Sequence, residues 1–182
     1  MQPMKILTQW LRQNVGPDHY LFSTQDFRAL FPALSDNAFK TLLTRTVQQG
    51  VLEKICRSIY AYESAQHSNG LLLFHVASLL RSGEFNYLSL ETVLSDAGVI
   101  SQIPINSISF MSSGRSSQIS CGKYGTIEFV HTTQKPEQIM SSFVYDANCR
   151  IWRANVQLAL SDMKHTHRNC DLVNWELANE FV

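Results

Sequence analysis

Surplus charge, paired cysteines and long apolar runs are all scarce in this 182-residue chain. Its 15 Lys and Arg are matched by 15 Asp and Glu, so the chain as a whole has no net attraction for a polyanion. Charged residues make up only 16% of the sequence and apolar residues 45%, a composition that buries a core rather than staying disordered. The four cysteines (Cys56, Cys121, Cys149, Cys170) show no Cys-x-x-Cys spacing. They predict thiols in a reducing compartment, not a disulfide framework. No apolar stretch reaches the roughly 20 residues of a membrane span. Met1 to Trp10 has neither the apolar centre nor the small-residue cleavage site of a secretion signal. The expectation is a cytoplasmic protein with no membrane partner.

The even balance conceals a division. Residues 1–62 hold seven basic and four acidic side chains, and the remainder holds eight basic and eleven acidic ones. A basic front and an acidic back predict two domains, 1–63 and 70–182, joined by the polar connector Ala65–Gly70.

In the front part, Ile6, Leu7, Trp10, Leu11 and Val15 recur at helical spacing over residues 5–15, and Gly16-Pro17-Asp18 ends the run. Tyr20 to Phe22 reads as a short apolar link. Ser23, with Asp26 three residues on, reads as the cap of a second helix from Thr24 to Phe31, which Pro32 stops. Ser35 opens a third helix that Gly50 closes. At about 100° per residue, Phe39, Leu42, Leu43, Thr46 and Val47 share its inner face. Asn37, Lys40, Thr41, Thr44, Arg45 and Gln48 fall on the outer face, which has amide, hydroxyl and cationic groups and no carboxylate. Such groups donate to phosphate oxygens and to base edges in a major groove. The period then changes to two over Val51–Ile55 and Ser58–Tyr62, a hairpin with Lys54 and Arg57 near its tip. Three helices and a basic hairpin follow the order of a winged helix-turn-helix, with the third helix in the major groove and the hairpin on adjacent backbone. Asn37, Lys40, Thr41, Thr44, Arg45, Gln48, Lys54 and Arg57 are therefore the candidate DNA-binding residues. A domain of this kind also serves as a protein-binding module without nucleic acid.

The back part opens with Leu71–Leu80, apolar nearly all round and so predicted as a buried helix. Tyr87-Leu88 is a short extended piece, and Ser89 is expected to cap a helix over Leu90–Ala97. Alternating patterns over 107–111, 117–121 and 125–131 predict three strands in a small, largely antiparallel sheet. Helical spacing returns over 136–144 and 155–164. A last helix follows, capped by Asp171, with Leu172, Trp175, Leu177, Ala178 and Phe181 on its apolar face. The predicted fold class is α+β: an N-terminal winged helix-turn-helix, then a mixed α/β domain with a small antiparallel sheet and C-terminal helices.

Four segments together resemble the AbiEi family, antitoxins of type IV toxin–antitoxin systems used in phage defence. They are Phe22–Phe27 with Leu42–Val51, the hairpin end Arg57–Tyr62, Tyr87–Ile100, and Val156–Asp162. Ser58 stands where the family often has Gly, Val93 where Ala is common and Gln157 where Glu is usual. The resemblance implies an autorepressor whose front domain binds double-stranded operator DNA at inverted repeats. A single winged helix rarely gives tight specificity, so two copies are expected on the DNA. The resemblance also implies that the back domain counteracts a nucleotidyltransferase-like toxin without requiring a stable complex. The alternatives are a stand-alone winged-helix regulator and a protein-interaction module whose acidic back half binds a basic partner.

The residues suggest no catalytic constellation, no metal site and no cofactor. His165 and His167, two apart on a helix, diverge by about 200°, so their imidazoles do not converge. Gly122–Gly125 lacks the length and the following helix of a phosphate loop. Asp96 and Glu128 stand outside any nuclease-like acidic pattern, and Cys121 and Cys149 have no local histidine. His75 is expected to be a buried, hydrogen-bonded imidazole. Arg115, Lys123, Arg150 and Arg153 are the cations of the back part expected at the surface.

Overall fold

A computed structural model describes residues 2–63, 70–101 and 106–181. The predicted connector, apart from Gly70, lies outside them. The chain is a mixed α+β protein that divides into two compact units, Met1–Leu72 and Leu73–Val182.

In the first unit the order is α1 (Pro3–Asn14), β1 (Leu21–Ser23), α2 (Thr24–Leu30), α3 (Asp36–Gln48), β2 (Leu52–Lys54) and β3 (Ile59–Tyr62). Helix α1 starts two residues earlier than its periodicity predicted. Pro3 sits in the first turn, where a missing N–H costs nothing. The link Tyr20–Phe22 proves to be mostly strand. Phe22 lies opposite Tyr60, so β3 is the centre of a three-stranded sheet in the order β1-β3-β2. Ser23 caps α2 through a reciprocal pair: the Asp26 N–H donates to its Oγ at 3.2 Å, and its own N–H donates to Asp26 Oδ2 at 2.6 Å. Ser35 caps α3 by accepting the Ala38 N–H at 3.4 Å. The core unites Leu7 and Leu11 of α1, Phe22, Phe27, and Leu42 and Leu43 of α3. Trp10 sits edge-on to Phe22 at 5.4 Å. Fully burying each such side chain contributes about 1.5–3 kcal/mol, which fixes the inner face of α3 and thereby its outer one. Thr46 is buried among them, with its hydroxyl donating to the Leu42 carbonyl at 2.7 Å.

The second unit contains α4 (Leu72–Leu80), β4 (Asn86–Leu88), α5 (Leu90–Asp96), β5 (Ser107–Ser112), β6 (Ser117–Ser120) and β7 (Thr126–His131). There follow α6 (Pro136–Ile139), β8 (Phe143–Asp146), β9 (Ile151–Ala154), α7 (Val156–His165) and α8 (Trp175–Asn179). Its strands form one six-stranded sheet in the order β6-β7-β5-β4-β9-β8. The expected largely antiparallel sheet is corrected to a mixed one, because β5 pairs β7 and β4 pairs β9 in parallel. The polarity of the strands accounts for this. β5 is buried along nearly its whole length and β7 alternates, whereas β6 is Ser-Gln-Ile-Ser, so β6 takes the edge and β7 inserts between them.

Three further expectations are corrected. The helix over 136–144 stops at Ile139, passes through a short 3-10 turn and continues as β8, whose pairing with β9 takes over the backbone groups. Helix α8 is capped by Asn174 and not by Asp171, since the Asn174 side-chain Oδ1 accepts the N–H groups of Glu176 and Leu177. Of its apolar residues Ala178 is buried, while Leu172, Trp175, Leu177 and Phe181 remain 37–48% exposed. Helix α4 buries Val76 and Ala77 but leaves Leu73, Phe74, Leu79 and Leu80 only half-buried. No helix among the described residues is long and apolar enough to cross a membrane.

Candidate nucleic-acid interface

All eight candidate residues are exposed. Packing of Phe39, Leu42 and Leu43 inward leaves Asn37, Lys40, Thr41, Thr44, Arg45 and Gln48 on the outer arc of α3. Lys40, Thr44 and Gln48 line one wall of a groove of about 810 Å³, which Lys54 and Arg57 of the hairpin close from the other side. Phe39, Leu43, Val47 and Tyr60 supply its apolar lining. The hairpin is held in place by α2: the Thr24 N–H donates to the Ser58 carbonyl at 2.8 Å, and the Thr24 hydroxyl donates to the same oxygen at 3.2 Å. At the tip, the N–H groups of Ile55 and Cys56 both donate to the Ile59 carbonyl, which keeps the loop tight and presents Arg57 outward.

Thr41 and Arg45 do not face this groove. They line a smaller one of about 420 Å³ on the opposite flank of α3, beside Pro3 and Met4 of α1. The outer arc of α3 thus separates two grooves rather than facing one. The Thr41 and Thr44 hydroxyls donate to the Asn37 and Lys40 carbonyls at 2.8 and 3.0 Å. Each threonine therefore offers a methyl group and oxygen lone pairs to a ligand, not a ready donor.

The reading of this surface as free of carboxylate is also corrected. Asp36, one residue before the first candidate, lines the larger groove. Arg28, which periodicity did not single out, neutralises it: Arg28 donates from Nη2 to Asp36 Oδ1 at 2.9 Å and from Nη1 to the Leu34 carbonyl at 2.7 Å. Its guanidinium also lies 5.1 Å from the centre of the Phe39 ring. The sequence signal for Arg28 was weak, because the pairing depends on the turn between α2 and α3. Burial pushes the Tyr60 phenol above its ordinary value, and the nearby Cys56 adds to this, so the groove wall stays neutral there.

In the second unit, two of the motif segments meet in the core. Asp162 of α7 is fully buried. Its oxygens accept the Ser89 hydroxyl at 2.6 Å, the Gln134 amide at 3.1 Å and the Tyr87 hydroxyl at 3.2 Å. Ser89 occupies the N-cap position of α5, as expected, but makes no side-chain cap, because its hydroxyl is committed to Asp162. The next residue, Leu90, holds φ at +57°, a strained conformation in a fully buried side chain. Burial raises the Asp162 pKa above the usual carboxylate range, and the three hydrogen bonds only partly offset it. Burial, then the neighbouring carboxylate, also raises the Tyr87 pKa. These are properties of a structural polar centre.

Several other polar groups of this unit are engaged structurally. Arg168 bridges Glu91 at 2.9 Å and Glu128 at 2.7 Å, and Glu128 also accepts the Ser109 hydroxyl at 3.1 Å. His75 is buried, and its Nε2 donates to the Asn148 carbonyl at 2.7 Å. Of the cations expected at the surface, Arg115 is exposed, while Arg153 pairs with Asp96. Burial, followed by the Asp146 side chain, pushes the Cys149 thiol up to about 12, far from a reactive thiolate. Among the described residues, no three His, Cys, Asp or Glu side chains cluster as metal ligands would. No protein-family model matches the sequence, and no curated protein matches it.

Proposed function

We propose that the protein is a DNA-binding antitoxin that represses its own operon, as its resemblance to the AbiEi family implies. In this reading residues 2–63 are a winged helix-turn-helix. The order helix, strand, helix, helix, hairpin, with β1 joining the hairpin sheet, supports it. The observation that carries the reading is the basic arc itself: α3 and the hairpin tip bring Lys40, Lys54 and Arg57 to one groove, and Arg45 flanks it on the far side of α3. Lys40, Arg45, Lys54 and Arg57 anchor phosphates. Asn37, Thr41, Thr44 and Gln48 face base edges, with the threonine methyl groups suited to the thymine methyl. No step in this reading requires catalysis or a cofactor. The acidic second unit counteracts a nucleotidyltransferase-like toxin in the cytoplasm.

The apolar lining of the groove favours a second reading, a protein-interaction module that takes a peptide in place of DNA. One experiment separates the two. The full chain is titrated onto duplex DNA from upstream of its own gene at low salt. Retardation that exceeds that on scrambled duplex supports the operator reading. A folded protein that retards neither duplex rejects it and favours the peptide reading. Co-expression with the adjacent gene product then tests the antitoxin role, which requires that the full chain restores growth.

A further inference from the structure

The six-stranded sheet has two edges of opposite character. At one, β6 reads Ser-Gln-Ile-Ser, with Gln118 and Ser120 exposed and no large apolar side chain exposed. At the other, β8 reads Phe-Val-Tyr-Asp, with Val144 69% and Tyr145 50% exposed. Strands that remain single at an edge usually bear lysine, proline or an inward charge. β8 has no lysine or proline, and its one charge, Asp146, is turned into the following loop, where it accepts the N–H groups of Asn148 and Cys149 at 3.0 Å each.

The register defines what this edge presents. The Asn155 N–H donates to the Ser142 carbonyl at 2.8 Å, and Val144 lies opposite Arg153 on β9. In an antiparallel ladder inward and outward groups alternate, so Val144 and Asp146 bond to β9 and the N–H and C=O of Phe143 and Tyr145 point outward. No hydrogen bond among the described residues reaches these outward groups.

We infer that β8 pairs antiparallel with β8 of a second copy of this chain, about a two-fold axis through Val144. The outward groups are self-complementary in that register. Phe143 meets the second copy's Tyr145, Tyr145 meets the second copy's Phe143, and each pair exchanges both N–H···O=C bonds. Val144 faces its own copy as a non-hydrogen-bonded pair, with Cα atoms about 4.5 Å apart. The charges are compatible: Asp146 falls opposite the second copy's Ser142, so no like charges meet. On the other face, the edge-on pair of Tyr145 and Trp152, with centroids 5.3 Å apart, continues onto the second copy's Phe143. The exposed parts of Val144, Tyr145 and Trp152 amount to on the order of 300 Å² per copy. That is the scale of a weak, concentration-dependent contact rather than a permanent dimer.

Sedimentation of the full chain, from micromolar to near-millimolar concentration, tests this without any DNA. The mass is expected to rise from 20.7 kDa toward twice that value. Tyr145→Pro removes an outward N–H while sparing the ladder to β9, and is expected to weaken association at least tenfold. Val144→Arg and Val144→Glu each place like charges on the axis and are expected to be monomeric, yet to form a heterodimer when mixed. Val144→Cys is expected to cross-link under mild oxidation, because the facing Cα spacing suits a disulfide, whereas Ser117→Cys on the polar edge is not. Circular dichroism checks that each variant is folded. A wild-type chain that stays monomeric throughout overturns the inference and leaves this edge to a strand of a different protein. Charged variants that associate like wild type, or folded ones that fail to form the heterodimer, overturn it equally.

Discussion

Asp162 offers the sharpest test of the packing in the second unit. Its carboxylate is fully buried, and its hydrogen-bond donors are two hydroxyls and an amide. Replacing it with alanine strands the Ser89 and Tyr87 hydroxyls, both fully buried, at about 1–3 kcal/mol each. It also relieves the desolvation of a carboxylate, which offsets part of that loss. The net expectation for Asp162→Ala is a loss of about 2–4 kcal/mol. The pH dependence gives an independent readout. Burial raises the folded-state pKa above the unfolded value of about 3.9, so the native chain binds the proton more tightly than the unfolded one. Stability from this group therefore falls as pH rises from about 4 through the folded pKa, and is level above it. Asp162→Asn keeps the volume and removes the titration, so its difference from wild type should change across that window and stay constant above it. Urea unfolding at a series of pH values measures both effects, with Trp152 and Trp175 reporting on the second unit and Trp10 on the first. An alanine variant within about 0.5 kcal/mol of wild type, or an asparagine variant with the wild-type pH slope, would show that this carboxyl neither holds the buried hydroxyls nor titrates with folding.

Two other changes probe the first unit. Ser23→Ala removes one half of the reciprocal cap on α2 and should lower stability by about 1 kcal/mol, measured by thermal unfolding, while DNA affinity falls only as far as α2 and the hairpin loosen. Asp36→Asn removes the one carboxylate of the larger groove and frees Arg28. The exposed pair it breaks is worth less than about 1 kcal/mol, so folding is little changed, but binding to any duplex should tighten and its salt slope steepen by about one unit.

Local signals in the sequence translated well into elements. The apolar spacing of α3 placed its outer arc, and Ser23 with Asp26 marked the start of α2, because both depend on residues within one or two helical turns. What failed depended on distant partners. β1 is only three residues long and becomes a strand by pairing with β3, almost forty residues on. Ile139, Met140, Phe143 and Val144 have helical spacing, yet pairing with β9 makes the last two a strand. Ser89 has the form of a cap, but its hydroxyl is drawn to Asp162, 73 residues away. The candidate site was legible as a face but not as a shape. The split between its two flanks, and the pairing of Arg28 with Asp36, follow from the turn between α2 and α3 and from where the hairpin docks.

If the basic arc of α3 and the hairpin tip grips phosphates, the salt dependence of DNA binding reports it. Anisotropy titrations of the full chain on upstream duplex at several salt concentrations give the slope of log K against log salt. Changing Lys40, Lys54 and Arg57 to alanine one at a time should flatten that slope by about one unit each, with the protein still folded. A wild-type chain that binds without salt dependence, or variants that leave the slope unchanged, would mean that these cations do not contact phosphate.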